Sequence, residues 1–292
     1  MAVIIDGKEV AGRLRRELRD RVKALRDAGT VPCLAVILAG DNGASLSYVA
    51  AKEKALEEAG MDGRDFRLPE ETTQAELLSL IAALNADPQV HGILVQLPLP
   101  SPIDAGPVIA AIDPAKDVDG FHPVSVGNLV LGRPGFLPCT PHGVLVLLRE
   151  YGVPVSGAHA VVLGRSGIVG KPLANLLSRR DQNATVTLCH TGTRNMADIC
   201  RQADILIAAV GKPGMIRGDM IKEGAAVIDV GVNRVPESGT KKGYRIRGDV
   251  DFETAAEKAG FITPVPGGVG PMTIAMLLEN VVQAAETAGG IR

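Results

Sequence analysis

A chain of 292 residues with 46% hydrophobic content is long enough for two domains with sizeable cores. Its formal net charge of −2 argues against nucleic acid as a partner, and no apolar run nears the ~20 residues of a membrane helix. Cys33, Cys139, Cys189 and Cys200 show no CxxC or metal-ligand spacing and no signal-like leader precedes them, so reduced thiols, no metal and a cytoplasmic location are expected.

In chain order, PCLAVILAG (32–40) reads as a buried strand, and ASLSYVAAKEKALEEAG (44–60) as a helix ending on glycine. ELLSLIAALNAD (76–87) reads as a helix and VHGILVQLPLP (90–100) as a strand stopped by prolines. The Gly- and Pro-rich stretch 101–139 is the expected seam between two domains. A second series follows: helix GVLVLLREYG, strand AVVLG, helix KPLANLLSRR, strand ATVTLCH, helix MADICRQA, then strands DILIAAVG and AAVIDVGV. A last helix spans 272–289, with Pro271 expected at its first position. Strands alternating with helices predict an α/β protein with parallel sheets covered on both faces.

The stretch VVLGRSGIVG (161–170) drives an apolar strand into Gly164, Gly167 and Gly170 before a helix. Its spacing is G-x-x-G-x-x-G rather than the dinucleotide fingerprint G-x-G-x-x-G. It reads either as a tight strand–helix turn or as a loop whose amides approach a phosphate. NAD-binding folds carry an acidic residue about 20 residues on, for the ribose 2′-hydroxyl. Here the next strand ends in TLCHTGTRN (187–195) without a carboxylate, while Arg165 stands in the turn and Thr191 and Arg194 lie near the strand end. That arrangement suits a 2′-phosphate, and so NADP rather than NAD.

On the helix 44–60, a helical wheel places Ser45, Tyr48, Lys52, Leu56 and Ala59 on one stripe, with Glu53, Lys54, Glu57 and Glu58 elsewhere. Lys52 is either a lysine snorkelling along an apolar face or a desolvated amine able to exchange protons. Gln96 emerges where an apolar strand ends, either as a loop amide or at a ligand. KDVDGFHP (116–123) carries Asp117 and Asp119 in a turn, where carboxylates commonly bond their own backbone. PVPGGVGPMT (264–273) is either a linker or a glycine-rich rim on a ligand.

SLSYVAAK, VQLPLP, KDVDGFHP, GRSGIVGKP and PVPGGVGPMT, with PCTP (138–141) and ADILIAAVGKPG (203–214), occur in one order over essentially the whole chain. In this the sequence resembles the bifunctional methylenetetrahydrofolate dehydrogenase/cyclohydrolase family. The resemblance implies NADP-dependent oxidation of methylenetetrahydrofolate to the methenyl cation and hydrolysis to formyltetrahydrofolate. It implies a folate-binding catalytic domain (1–140 and 271–292), a Rossmann-like NADP-binding domain with a mostly parallel sheet (141–270), a cleft between them, and a homodimer. Position by position, it makes Lys52 the catalytic lysine, Tyr48 the aromatic platform for the folate, Gln96 the partner of Lys52, and Asp119 rather than Asp117 the grip on the pterin. Val95, Leu97 and Pro266, Gly267, Gly268, Val269 and Gly270 would line the folate site. Gly164, Arg165, Ser166, Thr191 and Val232 would contact NADP. Two positions depart from the pattern: Ser125 and Gly167 each stand where relatives commonly carry asparagine. The rival readings are a Rossmann dehydrogenase of another small substrate, such as a shikimate-type enzyme, and a non-catalytic NADP-binding protein.

Overall fold

The computed structural model describes residues 2–40, 43–240 and 243–290, and for residues 43–48 the backbone alone. In chain order, β1 (Val3–Ile4) precedes α1 (Gly7–Asp27), β2 (Cys33–Ala39), α2 (Gly43–Ala59), β3 (Asp62–Leu68), α3 (Gln74–Ala86), β4 (Gly92–Val95), α4 (Ala105–Ala110) and α5 (Pro123–Leu131). Then come α6 (Cys139–Glu150), β5 (His159–Leu163), α7 (Gly170–Ser178), β6 (Thr185–Cys189), α8 (Met196–Cys200) and β7 (Ile205–Ala208). The chain closes with β8 (Ala226–Asp229), β9 (Asn233–Pro236), β10 (Tyr244–Arg247), α9 (Phe252–Ala256), β11 (Phe261–Ile262) and α10 (Val269–Ala288). Among the described residues, no helix is long and apolar enough to cross a membrane. The chain divides into two compact units.

The first unit comprises Gly12–Leu137 and Ile274–Arg292. Its sheet is parallel, in the order β3-β2-β4. Central β2 is buried along its whole length, as an unbroken apolar run in a covered parallel sheet requires. Edge strand β3 turns its charges to water in an alternating pattern, so it carries no apolar run in the sequence. Cys33, Ala35 and Ile37 of β2 pack against Leu77, Ile81 and Leu84 of α3. Thr73 and Glu76 close a reciprocal capping box at the start of that helix. Val108 and Ile112 join the same core and Leu129 of α5 is buried, so most of the stretch 101–139 is packed structure, with the division between the units near its end. Glycine and proline there serve the turns around two short helices, and the units divide at 137/138.

The second unit comprises Met1–Ala11 and Pro138–Thr273. Its six strands run in the order β1-β11-β8-β7-β5-β6, all paired parallel. The first residues were expected with the folate-binding domain; instead Val3 and Ile4 lie beside Phe261 and Ile262, where Val3 and Ile5 donate to Gly260 and Ile262. Joining this sheet satisfies backbone groups that β11 would otherwise leave open at its edge. The last helix begins at Val269, two residues earlier than expected. Pro271 is therefore its third residue, still within the first turn where a missing N–H costs nothing.

Counted from β5, the strand order is 2-1-3-4-5, with β6 on one side of β5 and β7 on the other. Open α/β sheets bind ligands outside the carboxyl ends of the strands at such a reversal. The glycine loop leaves β5 at that place. Gly164 has φ +110°, and a Cβ there would lie 2.1 Å from the Ala209 carbonyl oxygen; one on Gly170 would lie 1.8 Å from the Gly164 oxygen. A Cβ on Gly167 meets nothing within 4 Å. Only the outer two glycines are therefore demanded by packing. Gly164→Ala is expected to cost about 2 kcal/mol or more through strain and overpacking. Gly167→Ala should be neutral or stabilising by up to about 1 kcal/mol, since the unfolded chain loses freedom. Chemical denaturation of the two variants separates them; equal losses would contradict this assignment.

Candidate active site

In the first unit, α2 carries Lys52 toward the end of β4. Val49, Ala55, Leu56 and Ala59 bury the helix's inner face, and Lys52 is half-buried at its margin. The Lys52 Nζ donates to the Gln96 side-chain oxygen at 3.0 Å. The Gln96 amide nitrogen donates in turn to the Leu97 carbonyl at 2.9 Å, which sets which end of the amide faces the lysine. The Gln96 main-chain N–H donates to Ile37 of β2 at 2.9 Å. The amine is thus positioned through Gln96 by the sheet itself. Val95, one residue earlier, is buried in the core. The side chain of Tyr48 lies outside the described residues.

The loop after α4 brings two carboxylates to this region with different surroundings. Asp117 is buried and accepts from the Phe121 N–H at 3.2 Å, the His122 N–H at 2.8 Å and the Ser125 hydroxyl at 2.6 Å. Burial nevertheless holds its carboxyl above the ordinary range. The substituted position, Ser125, is therefore one of the donors that organise the loop. Asp119 lies two residues after Asp117. Burial pushes its carboxyl up to about 6, the positive charge of Lys52 opposes that rise, and the negative charge of Asp117 adds to it.

Between the two, Val118 packs on Gly92 of β4, where a Cβ would lie 2.8 Å from a Val118 methyl. The Val118 carbonyl accepts from the Asn280 amide of α10 at 2.8 Å. The Lys116 ammonium donates to the carbonyls of Leu84, Asn85 and Asp87 at 2.9, 2.8 and 2.7 Å, pinning the loop to the C-terminal end of α3. These contacts fix the backbone that leads into Asp119.

In the second unit, a cavity of about 250 Å³ opens beside the end of β5. Gly164, Arg165 and Thr191 line it, together with His190, Val210 and Lys212. The Ser166 hydroxyl accepts from the N–H groups of Val169 and Gly170 at 3.2 and 3.3 Å, capping the start of α7. Arg194 is exposed and does not line the cavity. Lys212 and Val210 were not read as site residues; the signal was available, since both follow a strand end in the sheet that holds the glycine loop. Val232 stands on the loop after β8, 47% exposed. Pro266–Gly270 forms the turn from β11 into α10: Pro266 is exposed, Val269 is buried, and the Gly268 N–H donates to the Pro264 carbonyl at 2.8 Å. Among the described residues, no group of three or more His, Cys, Asp or Glu could hold a metal ion.

A strand-reversal cavity with an arginine and no carboxylate in its lining fits a dinucleotide bearing a 2′-phosphate. With the Lys52–Gln96–Asp119 set, the fold defines a dinucleotide-dependent α/β enzyme. Residues 138–289 match the NAD(P)-binding domain of tetrahydrofolate dehydrogenase/cyclohydrolase, and residues 5–119 match its catalytic domain. The chain belongs to this family. It is 59% identical to the bifunctional protein FolD of Moorella thermoacetica over 97% of this chain and 99% of that protein. The crystal structure of the bifunctional FolD enzyme from Campylobacter jejuni superposes with a TM-score of 0.93 at 49% identity, covering 98% of this chain and 99% of that one. FolD from Trypanosoma brucei, solved with NADP and an inhibitor, gives a TM-score of 0.95 at 43% identity over 100% of this chain and 99% of that one.

The contrast between the two aspartates yields a direct expectation. Asp117→Ala removes the acceptor of three buried or half-buried donors and should cost about 2–4 kcal/mol of stability, read from chemical denaturation. Full retention of stability would mean that the loop is held without it.

Proposed function

We infer that this protein oxidises 5,10-methylenetetrahydrofolate to the 5,10-methenyl cation with NADP and hydrolyses that cation to 10-formyltetrahydrofolate. The observation that carries the assignment of roles is the Lys52–Gln96 hydrogen bond, in a chain of this family, beside a carboxyl group that feels the charge of Lys52. We assign the folate to the unit holding these residues, with Tyr48 as the flat platform and Val95 and Leu97 in the lining. A homodimer acting in the cytoplasm, without a nucleic-acid partner, completes the reading, in keeping with a net charge of −2.

The two half-reactions ask different things of the chain. NADP, when bound, accepts the hydride that leaves the methylene carbon. For that step the protein must hold and align, and no side chain needs to donate or remove a proton. Gly164 allows the loop to pass close to Ala209, Ser166 orders the helix start, and Arg165 and Thr191 offer a guanidinium and a hydroxyl to the 2′-phosphate. Hydrolysis needs proton transfers. Water adding to the methenyl carbon must lose a proton, and the ring nitrogen released as the C–N bond opens must gain one. The Lys52 amine takes the first proton and returns it as ammonium to the nitrogen. Gln96 keeps Nζ in place by accepting one of its hydrogens, leaving the others for the reaction. Asp119, when ionised, accepts from the amino and amide donors of the pterin.

Lys52→Met keeps the length and apolar contact of the stem while removing the amine. Methenyl hydrolysis should fall roughly 100- to 10,000-fold, and dehydrogenation by a smaller factor. Assaying each half-reaction separately on folded protein is the check, and hydrolysis near the parental rate would remove Lys52 from the mechanism. Asp119 supplies a pH dependence. Its carboxyl is raised to about 6, so the carboxylate forms as pH rises through that value and is lost as pH falls below it. Affinity for a folate analogue should therefore weaken below about pH 6, and Asp119→Asn should weaken binding at neutral pH and flatten the profile. Calorimetric titration across pH 5–8 reads both effects; a pH-independent affinity in the parent would exclude Asp119 from the pterin site.

A further inference from the structure

Two aspartates without a role in the chemistry above are buried at the carboxyl edge of the six-stranded sheet. Asp229 ends β8 and Asp249 follows β10, 3% and 0% exposed. The Asp229 carboxylate accepts from the N–H groups of Gly231, Asp249 and Val250, each at 2.9 Å. The Asp249 carboxylate accepts from the N–H groups of Val210 and Gly211 at 2.6 and 2.9 Å, and from the Asn233 amide at 2.8 Å. The Asp229 N–H itself donates to the Thr263 hydroxyl at 2.7 Å. Amides thus supply these six bonds to the carboxylates.

The surrounding backbone is shaped to these side chains. A Cβ on Gly231 would lie 2.3 Å from the Asp249 carboxyl carbon, and one on Gly248 would lie 1.9 Å from an Asp229 oxygen. Burial pushes the Asp229 carboxyl up to about 6 against its amide bonds, and the neighbouring charge of Asp249 raises it as well. Two desolvated carboxylates side by side disfavour folding relative to apolar residues of similar size. A connection that only had to join strands would not require them.

What they join is informative. Val210 and Gly211 form the loop after β7, and Val210 lines the cavity with Gly164, Arg165 and Thr191. Gly231 and Asn233 flank Val232, whose side chain the loop holds out, 47% exposed. One end of the carboxylate pair is therefore tied to the cavity wall and the other to the loop that presents Val232.

We propose that Asp229 and Asp249 are positioning residues for the dinucleotide, locking the 209–211 wall and the Val232 loop into one preformed frame. This rests on the reading of the cavity and Val232 as cofactor contacts. Neither aspartate touches the cofactor. Their effect is to remove the ordering cost that two independent loops would charge to binding.

The test centres on Asp249→Asn, whose amide must present a donor either to Asn233 or to the two backbone N–H groups. Asn233→Asp combined with Asp249→Asn reverses the polarity of the 2.8 Å bond and restores it, at the cost of the 3.2 Å bond from Asn233 to the Arg247 carbonyl. The Kd for NADP, measured by titration calorimetry, should rise about tenfold or more in D249N. It should return toward the parental value in the double variant, while hydrolysis of methenyltetrahydrofolate without NADP stays near the parental rate in both. Parental NADP affinity in D249N, no recovery in the double variant, or hydrolysis falling in parallel with affinity overturns the proposal. Should D249N not fold, Asn233→Ala decides, since it removes one donor and leaves both carboxylates. Weakened NADP binding with intact hydrolysis supports the frame, and unchanged binding overturns it. Val232→Ala separates the underlying reading: if it leaves NADP affinity unchanged, Val232 is no cofactor contact and the frame falls with that reading. If V232A weakens binding and D249N does not, only the frame falls.

Discussion

A parallel sheet covered by helices on both faces leaves its carboxyl edge as the place where a ligand can meet the strands. Much of this molecule follows from that constraint. Gln96 follows β4 in the three-stranded sheet. In the six-stranded sheet, Gly164, Thr191, Lys212 and Val232 follow β5, β6, β7 and β8, and the Pro266–Gly270 turn follows β11. The residues assigned to chemistry and cofactor lie on short connections whose backbones are fixed by the strands before them. Lys52 and Tyr48 lie instead on helix α2 and Asp119 on the loop after α4, and the Lys52 amine is brought into register by a hydrogen bond to a residue at such an edge.

Carboxylates in this protein illustrate how the same group is assigned different work by its donors. Asp117 accepts from two main-chain amides of its own loop and from a hydroxyl on α5, and so fastens the loop to the helix that follows. Asp119 shares the turn but is only partly buried from solvent and feels the charge of Lys52, and its carboxyl is raised to about 6. Asp229 and Asp249 are satisfied by amides drawn from three connections at one sheet edge. In each case the cost of burying charge is offset by bonds that also determine where the backbone goes.

The glycines have a complementary logic. Gly164 and Gly170 bring main chain against main chain, Gly92 makes room for Val118, and Gly231 and Gly248 make room for carboxylates. Gly167 does none of these, although the sequence places it in the middle of the same loop. Spacing alone made the three loop glycines look equivalent. The distances separate them.

Local signals in the sequence determined a good deal: the buried strands β2, β4, β5, β7 and β8, the helix bearing Lys52, the glycine loop, and the absence of a carboxylate after β6. These are legible because an apolar run or a glycine cluster acts within a few residues of itself. The order of motifs also determined the family. Tertiary structure alone decided the rest. Helix α1 is obscured by its arginines and glutamates, since its buried apolar side chains are only Val10, Ala11, Leu18, Val22 and Leu25, spread over 21 residues. Strand β3 is an edge, most of the 101–139 stretch is packed rather than linking, and β1 joins a sheet whose other strands begin more than 150 residues later. Likewise Asp117 and Asp119 are the same residue type two positions apart, and only their surroundings distinguish a carboxylate bonded to its own loop and the helix after it from one that feels the charge of Lys52. Burial, hydrogen-bond partners and closest approach are relations between distant parts of the chain, and they come into being when the chain folds.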